Sequence, residues 1–94
     1  MPIRRLGLDV DKVLDRPGQV ELAQAIERCA GVEAVNVTVT DIDIETVGMD
    51  VTVVGDDIDA NAVYRAIEQT GAVVHSIDEV VAGSYLVDRI LRAR

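Results

Sequence analysis

At 94 residues the chain holds one domain, near the lower limit of what a single core supports unaided. Hydrophobic residues are 49% of it with no Phe or Trp, so the core is Val, Ile, Leu and Ala, and the single cysteine excludes an internal disulfide. A net charge of −8, from 17 acidic and 9 basic residues, repels phosphate backbones and argues against a nucleic-acid partner.

Ile3 to Val10 reads as a strand, with Leu6, Leu8 and Val10 on one face and Arg5, Gly7 and Asp9 on the other. Asp15-Arg16-Pro17 reads as a helix start, Asp near the N-cap and Pro in the first turn. Val20, Ala23, Ile26 and Ala30 keep helical spacing up to a stop at Gly31. Val32 to about Asp43 alternates, Val35, Val37 and Val39 lying opposite Asn36, Thr38 and Thr40. A turn near Glu45-Thr46 leads into a strand from Val47 to Val54, where Met49, Val51 and Val53 repeat the pattern, and Gly55-Asp56-Asp57 ends it. A second helix runs from about Asp59 to Thr70, carrying Ala62, Val63, Ala66 and Ile67, and Gly71 closes it. The last strand, before Gly83, holds the only histidine, His75, with Ser76, Asp78 and Glu79 beside it. In Ser84 to Arg94, the residues Leu86, Val87, Ile90 and Leu91 have helical spacing. No apolar run approaches the ~20 residues of a membrane span and no signal-peptide core opens the chain, so a cytoplasmic location is expected.

Strand, helix, strand, strand, helix, strand predicts a ferredoxin-like α+β sandwich. Two split βαβ units give a four-stranded antiparallel sheet with both helices on one face. Residues 1–94 form this single domain, its core spanning about 3 to 83 and the tail 84–94 being a short C-terminal extension. The predicted spatial order is last, first, third, second strand.

That order brings the end of strand one, the hairpin between strands two and three, and the start of strand four to one edge. Asp9 and Asp11 arrive there from strand one, Asp41, Asp43 and Glu45 from the hairpin, and His75 from strand four. Crowded carboxylates protonate, splay into solvent or collect a cation. Oxygen donors suit Ca²⁺ or Mg²⁺ over a transition metal, although His75 would admit one. The metal set is therefore Asp9, Asp43, Glu45 and His75, and the alternative is a group of solvated turn residues in an acidic chain.

The sheet face without helices is the second candidate region. Pairing strands one and four with Gly7 opposite Ile77 sets His75 across from Asp9 and Glu79 across from Arg5, as cross-strand charge pairs. Asp78 then points toward the helices unless a bulge re-aims it, and would need a partner there. Asp78, Glu79 and Arg5 are accordingly interface or ligand residues, while a charge-paired surface histidine is the plain reading of His75.

Support for catalysis is thin, and the expectation is that the chain is not an enzyme. Neighbours His75 and Ser76 point to opposite faces, so they are not a nucleophile–base pair. Cys29, in the last turn of the first helix, reads as packing. Val54-Gly55-Asp56-Asp57 ends in acids, the wrong charge for a phosphate loop.

The runs Leu8-Asp9-Val10, Gly31-Val32-Glu33-Ala34-Val35-Asn36-Val37, Asp41-Ile42-Asp43-Ile44-Glu45-Thr46 and His75-Ser76-Ile77-Asp78-Glu79-Val80-Val81-Ala82-Gly83 resemble domain of unknown function 211, a group found largely in archaea. The resemblance covers roughly residues 3 to 83. It implies a ferredoxin-like fold, ring-like or otherwise symmetric homo-oligomers and bound divalent cations, with no established activity. Residues matching its motifs are Asp9, Asp43, Glu45, His75, Asp78, Glu79 and Gly83. The chain departs from it after the first strand, reading Asp11-Lys12-Val13-Leu14 where relatives have a Lys-Pro-His-like segment, and in its arginine-rich tail. Gly31 to Val37 with Ala66 to Gly71 also looks like heavy-metal-associated domains, but the Cys-x-x-Cys loop of those proteins is absent.

Three functions are consistent with these residues. One is a non-catalytic homo-oligomeric binding protein holding a divalent cation at the acidic edge or between subunits. Another is a regulatory module binding a small organic effector at a subunit interface. The last is a structural assembly protein whose tail docks on a neighbour.

Overall fold

In the computed structural model, residues 2–87 are described. The elements are β1 (Ile3–Val13), α1 (Gln19–Glu27), β2 (Val32–Ile42), β3 (Thr46–Gly55), α2 (Ala60–Gln69) and β4 (Val73–Ala82). They form one antiparallel sheet in the order β2-β3-β1-β4. This is the predicted ferredoxin-like βαββαβ arrangement, and it follows from the period-two pattern of the strands. Leu6, Leu8 and Val10 of β1 and Met49, Val51 and Val53 of β3 are buried. They pack with Leu22 and Ile26 of α1 and Val63 and Ile67 of α2. Each such aliphatic side chain contributes roughly 1.5–3 kcal/mol through burial, so the two central strands and two helices carry most of the stability.

Three boundaries differ from expectation. Strand β1 runs three residues further, because Asp11, Lys12 and Val13 continue pairing with Gly48, Val47 and Thr46. Helix α1 starts at Gln19 with an extended Gly18 as N-cap, while Pro17 is fully buried and serves as core packing in the loop. The same helix ends at Glu27, before the predicted stop. Helix α2 begins as read, with the Asp59 carboxylate accepting the Ala62 N–H at 3.1 Å.

Gly31 and Gly55 meet where α1 turns into β2. A Cβ on Gly55 would lie 1.9 Å from the Gly31 carbonyl oxygen, and Gly31 has φ +85°. That oxygen accepts the Asp56 N–H at 2.9 Å. Only glycine at both positions permits this approach.

The central pair β1–β3 is in unbroken register from Arg5↔Val54 to Val13↔Thr46. The pair β1–β4 is not. Gly7↔Glu79 followed by Leu8↔Ile77 leaves Asp78 as an extra residue, and Asp9↔Ser76 followed by Val10↔Val74 leaves His75 as another. Edge strand β4 thus carries two bulges, one at Asp78, where the sequence left room for one, and one at His75, which strict alternation had set across from Asp9. At the other end Arg4 is the extra residue on β1; its guanidinium donates to the Gly83 carbonyl at 2.7 Å and to Asp56 at 2.7 Å.

Ser84 to Val87 is irregular, so the helical spacing read there is not a helix over these residues. The remaining tail positions, including Ile90 and Leu91, lie outside the described residues.

Candidate functional site on the open sheet face

Opposite the helices, β1 presents Arg5, Gly7, Asp9 and Asp11, and β3 presents Asp50, Thr52 and Val54. Cα register sets Arg5 beside Val54, Gly7 beside Thr52, Asp9 beside Asp50 and Asp11 beside Gly48. Asp9 and Asp50 are therefore adjacent like charges on neighbouring central strands, with Cβ atoms about 4.5–5.5 Å apart for directly opposed residues. Neither has a cationic partner among the described residues.

Arg5 makes a two-pronged polar contact on this face. Its Nε and Nη2 donate to the two Glu79 carboxylate oxygens at 3.0 and 3.1 Å. Glu79 sits across from Gly7, not Arg5, so the pair is a diagonal one. Gly7 makes room for it, since a Cβ there would lie 3.1 Å from the Glu79 Cβ. Arg5 Nη2 also donates to the Val87 carbonyl at 3.3 Å, drawing the start of the tail over the open face.

The bulges re-aim the other two polar residues of β4. His75 does not face Asp9; its Nδ1 lies 3.4 Å from an Asp11 carboxylate oxygen, and both side chains are largely exposed. Asp78 does not point toward the helices. It is exposed and accepts the Ser76 hydroxyl at 2.8 Å, so the buried partner that a helix-facing carboxylate would have needed is not called for.

Asp43 and Glu45 sit in the β2–β3 turn. The Asp43 carboxylate accepts the Ile44 N–H at 2.7 Å, and its backbone N–H donates to the Thr46 carbonyl at 2.8 Å. Its turn forms a shallow recess lined only by Asp43, Ile44, Glu45 and Thr46. Within one copy, then, Asp9, Asp43, Glu45 and His75 are not gathered. Among the described residues no three of His, Cys, Asp and Glu meet closely enough to hold a metal ion.

Two concavities lie on or beside the open face. A depression of about 200 Å³ is lined by Gly7, Leu8, Asp50, Val51, Thr52, Asp78 and Glu79. A groove of about 620 Å³ at the β4 edge is lined by Asp78, Glu79, Val80, Val81, Ala82 and Val87. Asp50, which does not figure in the carboxylate set expected from the sequence, belongs to the face as clearly as Asp9. Its position between buried Met49 and Val51 was the available signal.

Cys29 is half-buried, its thiol directed at the Ala25 and Ala62 carbonyl oxygens at 3.6 and 3.5 Å. Burial pushes the thiol pKa up, the Asp59 charge adds to the rise, and Arg28 and Arg65 oppose it. A neutral, packed thiol is the result, as the sequence reading held.

Among the described residues no helix is long and apolar enough to cross a membrane. The profile of a protein family described as "Uncharacterized ArCR" matches residues 4–93. An uncharacterized protein of Methanocaldococcus jannaschii is 36% identical over 88 residues, covering 94% of this chain and 90% of the relative.

Proposed function

The chain belongs to the domain of unknown function 211 family, and from that premise we propose a non-catalytic, homo-oligomeric binding protein that holds a divalent cation between subunits. The observation that carries this reading is the in-register pair Asp9 and Asp50 on a sheet face without helices. A helix-free face of an antiparallel sheet is left to water or to another subunit. Bringing a second acidic surface onto it places four or more carboxylates within a few ångströms, and a hard cation is the simplest neutraliser of such a group. Sharing the ion between copies accounts for the dispersal of the donors within one copy. Ca²⁺ and Mg²⁺ suit these oxygens better than a transition metal. His75, paired with Asp11 at the same end, is the one nitrogen donor available.

Sedimentation velocity and thermal unfolding in EDTA and in Ca²⁺, Mg²⁺, Mn²⁺ or Zn²⁺ test the reading. The unmodified protein should gain mass or melting temperature with at least one ion, and an Asp9→Asn, Asp50→Asn variant should lose that response. A response of equal size in the variant would remove these carboxylates from the site; no response to any ion would remove the cation.

A second reading rests on the 620 Å³ groove, whose mixed lining of Asp78 and Glu79 with Val80, Val81 and Val87 suits a small organic effector carrying an amine. A metabolite thermal-shift screen that yields amine ligands, lost in Glu79→Gln, would favour it over the ion. The cytoplasm is the compartment we assign to either activity.

A further inference from the structure

The β2–β3 turn exposes Ile42 (69%) and Ile44 (85%), with Asp41, Asp43 and Glu45 alternating between and beside them. None of the three carboxylates has a cationic partner among the described residues. Lys12, on the neighbouring strand end, donates instead to the Val13 and Leu14 carbonyls at 3.1 Å each. Two large aliphatic side chains held in water at a turn, framed by unneutralised acid, form a surface suited to an apolar and basic partner.

The chain itself contains such a segment. Tyr85, Leu86 and Val87 are exposed, Tyr85 by 74%. They are followed in sequence by Arg89, Ile90, Leu91, Arg92 and Arg94. Three arginines and an aliphatic stripe match three carboxylates and two isoleucines in both charge and hydropathy.

The segment starts at the wrong end of its own sheet to reach that turn. Gly83 donates to the Pro2 carbonyl at 2.8 Å, and Val87 is held by Arg5, both near the start of β1. The turn lies beyond the other end, where Val13 faces Thr46. From Arg5 to Val13 is about 26 Å at ~3.3 Å per strand residue. Tyr85 to Val87 cannot span that distance; a fully extended chain puts Arg89 no more than ~7 Å and Arg92 no more than ~18 Å from Val87, and only Arg94, at ~25 Å, comes near the turn, so the three arginines cannot gather on it together.

We infer that the segment from Tyr85 to Arg94 of one copy docks on the β2–β3 turn of the next. This rests on the homo-oligomer reading above and adds to it a contact that joins subunits without the cation. Because donor and acceptor are different surfaces at opposite ends of the sheet, the contact is head-to-tail. It repeats from copy to copy, closing into a ring if the rotation permits and otherwise extending as a filament.

Charge reversal tests it. One variant carries Arg89→Glu, Arg92→Glu and Arg94→Glu; a second carries Asp41→Lys, Asp43→Lys and Glu45→Lys. Alone, each sets like charge against like charge, and in EDTA, which removes any cation bridge, each should sediment as a monomer while keeping the circular dichroism of the unmodified chain. Mixed in equal amounts, the acidic segment of the first meets the basic turn of the second, and the assembly mass should return. A neutral version of the first, with three Arg→Gln changes, should fall between. If either reversed variant alone keeps the unmodified mass, or if mixing leaves two monomers, the contact is elsewhere, the tail's own open face being the nearest alternative. If the unmodified chain is itself a monomer with and without Ca²⁺, the homo-oligomer reading falls first and this inference with it. Restoration on mixing, with no response of the unmodified chain to any of the four cations, would uphold the contact and refute only the cation.

Discussion

Separating Arg5 from Glu79 perturbs a two-pronged ion pair on the open face. The guanidinium donates twice to the carboxylate, at 3.0 and 3.1 Å, and the side chains are 17% and 36% exposed. A fully exposed pair contributes about 0.2–1 kcal/mol, whereas hydrogen bonds to charged groups away from water contribute about 1.5–3. Arg5 is mostly out of solvent but Glu79 is more than a third exposed, so screening brings the coupling to about 1–1.5 kcal/mol. In a domain of this size each kilocalorie shifts the melting temperature by about 4–8 °C. The assay is a double-mutant cycle with Arg5→Met, Glu79→Gln and the pair, by urea unfolding at a concentration where all four proteins sediment alike. Each single variant should lose more than half of the double variant's loss, and the coupling should shrink in about 1 M NaCl, where the screening length falls to ~3 Å. A coupling below about 0.3 kcal/mol, or one indifferent to salt, would show that the contact is geometric without being energetic.

Gly55→Ala would put a methyl 1.9 Å from the Gly31 carbonyl oxygen; the forced backbone shift and the strained Asp56 hydrogen bond should cost about 2–4 kcal/mol. Gly18→Ala, with nothing within 4 Å of the added carbon, should cost under about 1 kcal/mol, and equal losses from the two changes would refute the steric argument. For Cys29, the raised thiol pKa means that the folded state holds its proton more tightly than the unfolded state. Stability present at neutral pH is then lost as pH rises past the ordinary thiol range. Urea midpoints at about pH 7.5 and about pH 10 should therefore fall further for the unmodified chain than for Cys29→Ala; parallel declines would contradict the burial.

The strands and helices were legible because their apolar residues repeat at two and at three to four positions, and strand order followed from connection lengths. Leu6, Leu8 and Val10 against Met49, Val51 and Val53 needed nothing more. The site was less legible, because a strand's period holds only while its register does. One extra residue at Asp78 and another at His75 rotate everything beyond them, and no local composition announces which residue of His75-Ser76-Ile77-Asp78-Glu79 bulges. The Arg5–Glu79 partnership was nevertheless foreseen. It survived as a diagonal contact, since a long guanidinium and a glutamate tolerate a two-residue offset that a histidine and an aspartate do not. Pro17 misled for a different reason: proline at a helix start and proline buried in a loop share the same flanking sequence.

The interrupted register of β4 also orders how the sheet opens. Nine consecutive residue pairs join β1 to β3 without a break, while β1–β4 changes register at three places. Amide protons of β1 and β3 should exchange with solvent only on global unfolding, and those of β4 through smaller openings that peel this edge first. Such an opening would separate Glu79 from Arg5 and loosen Val87 with it. The strand that borders the groove and leads into the arginine-rich segment is thus held less cooperatively than the central pair, and in the assembly proposed above subunits would part there while the rest of each domain stays folded.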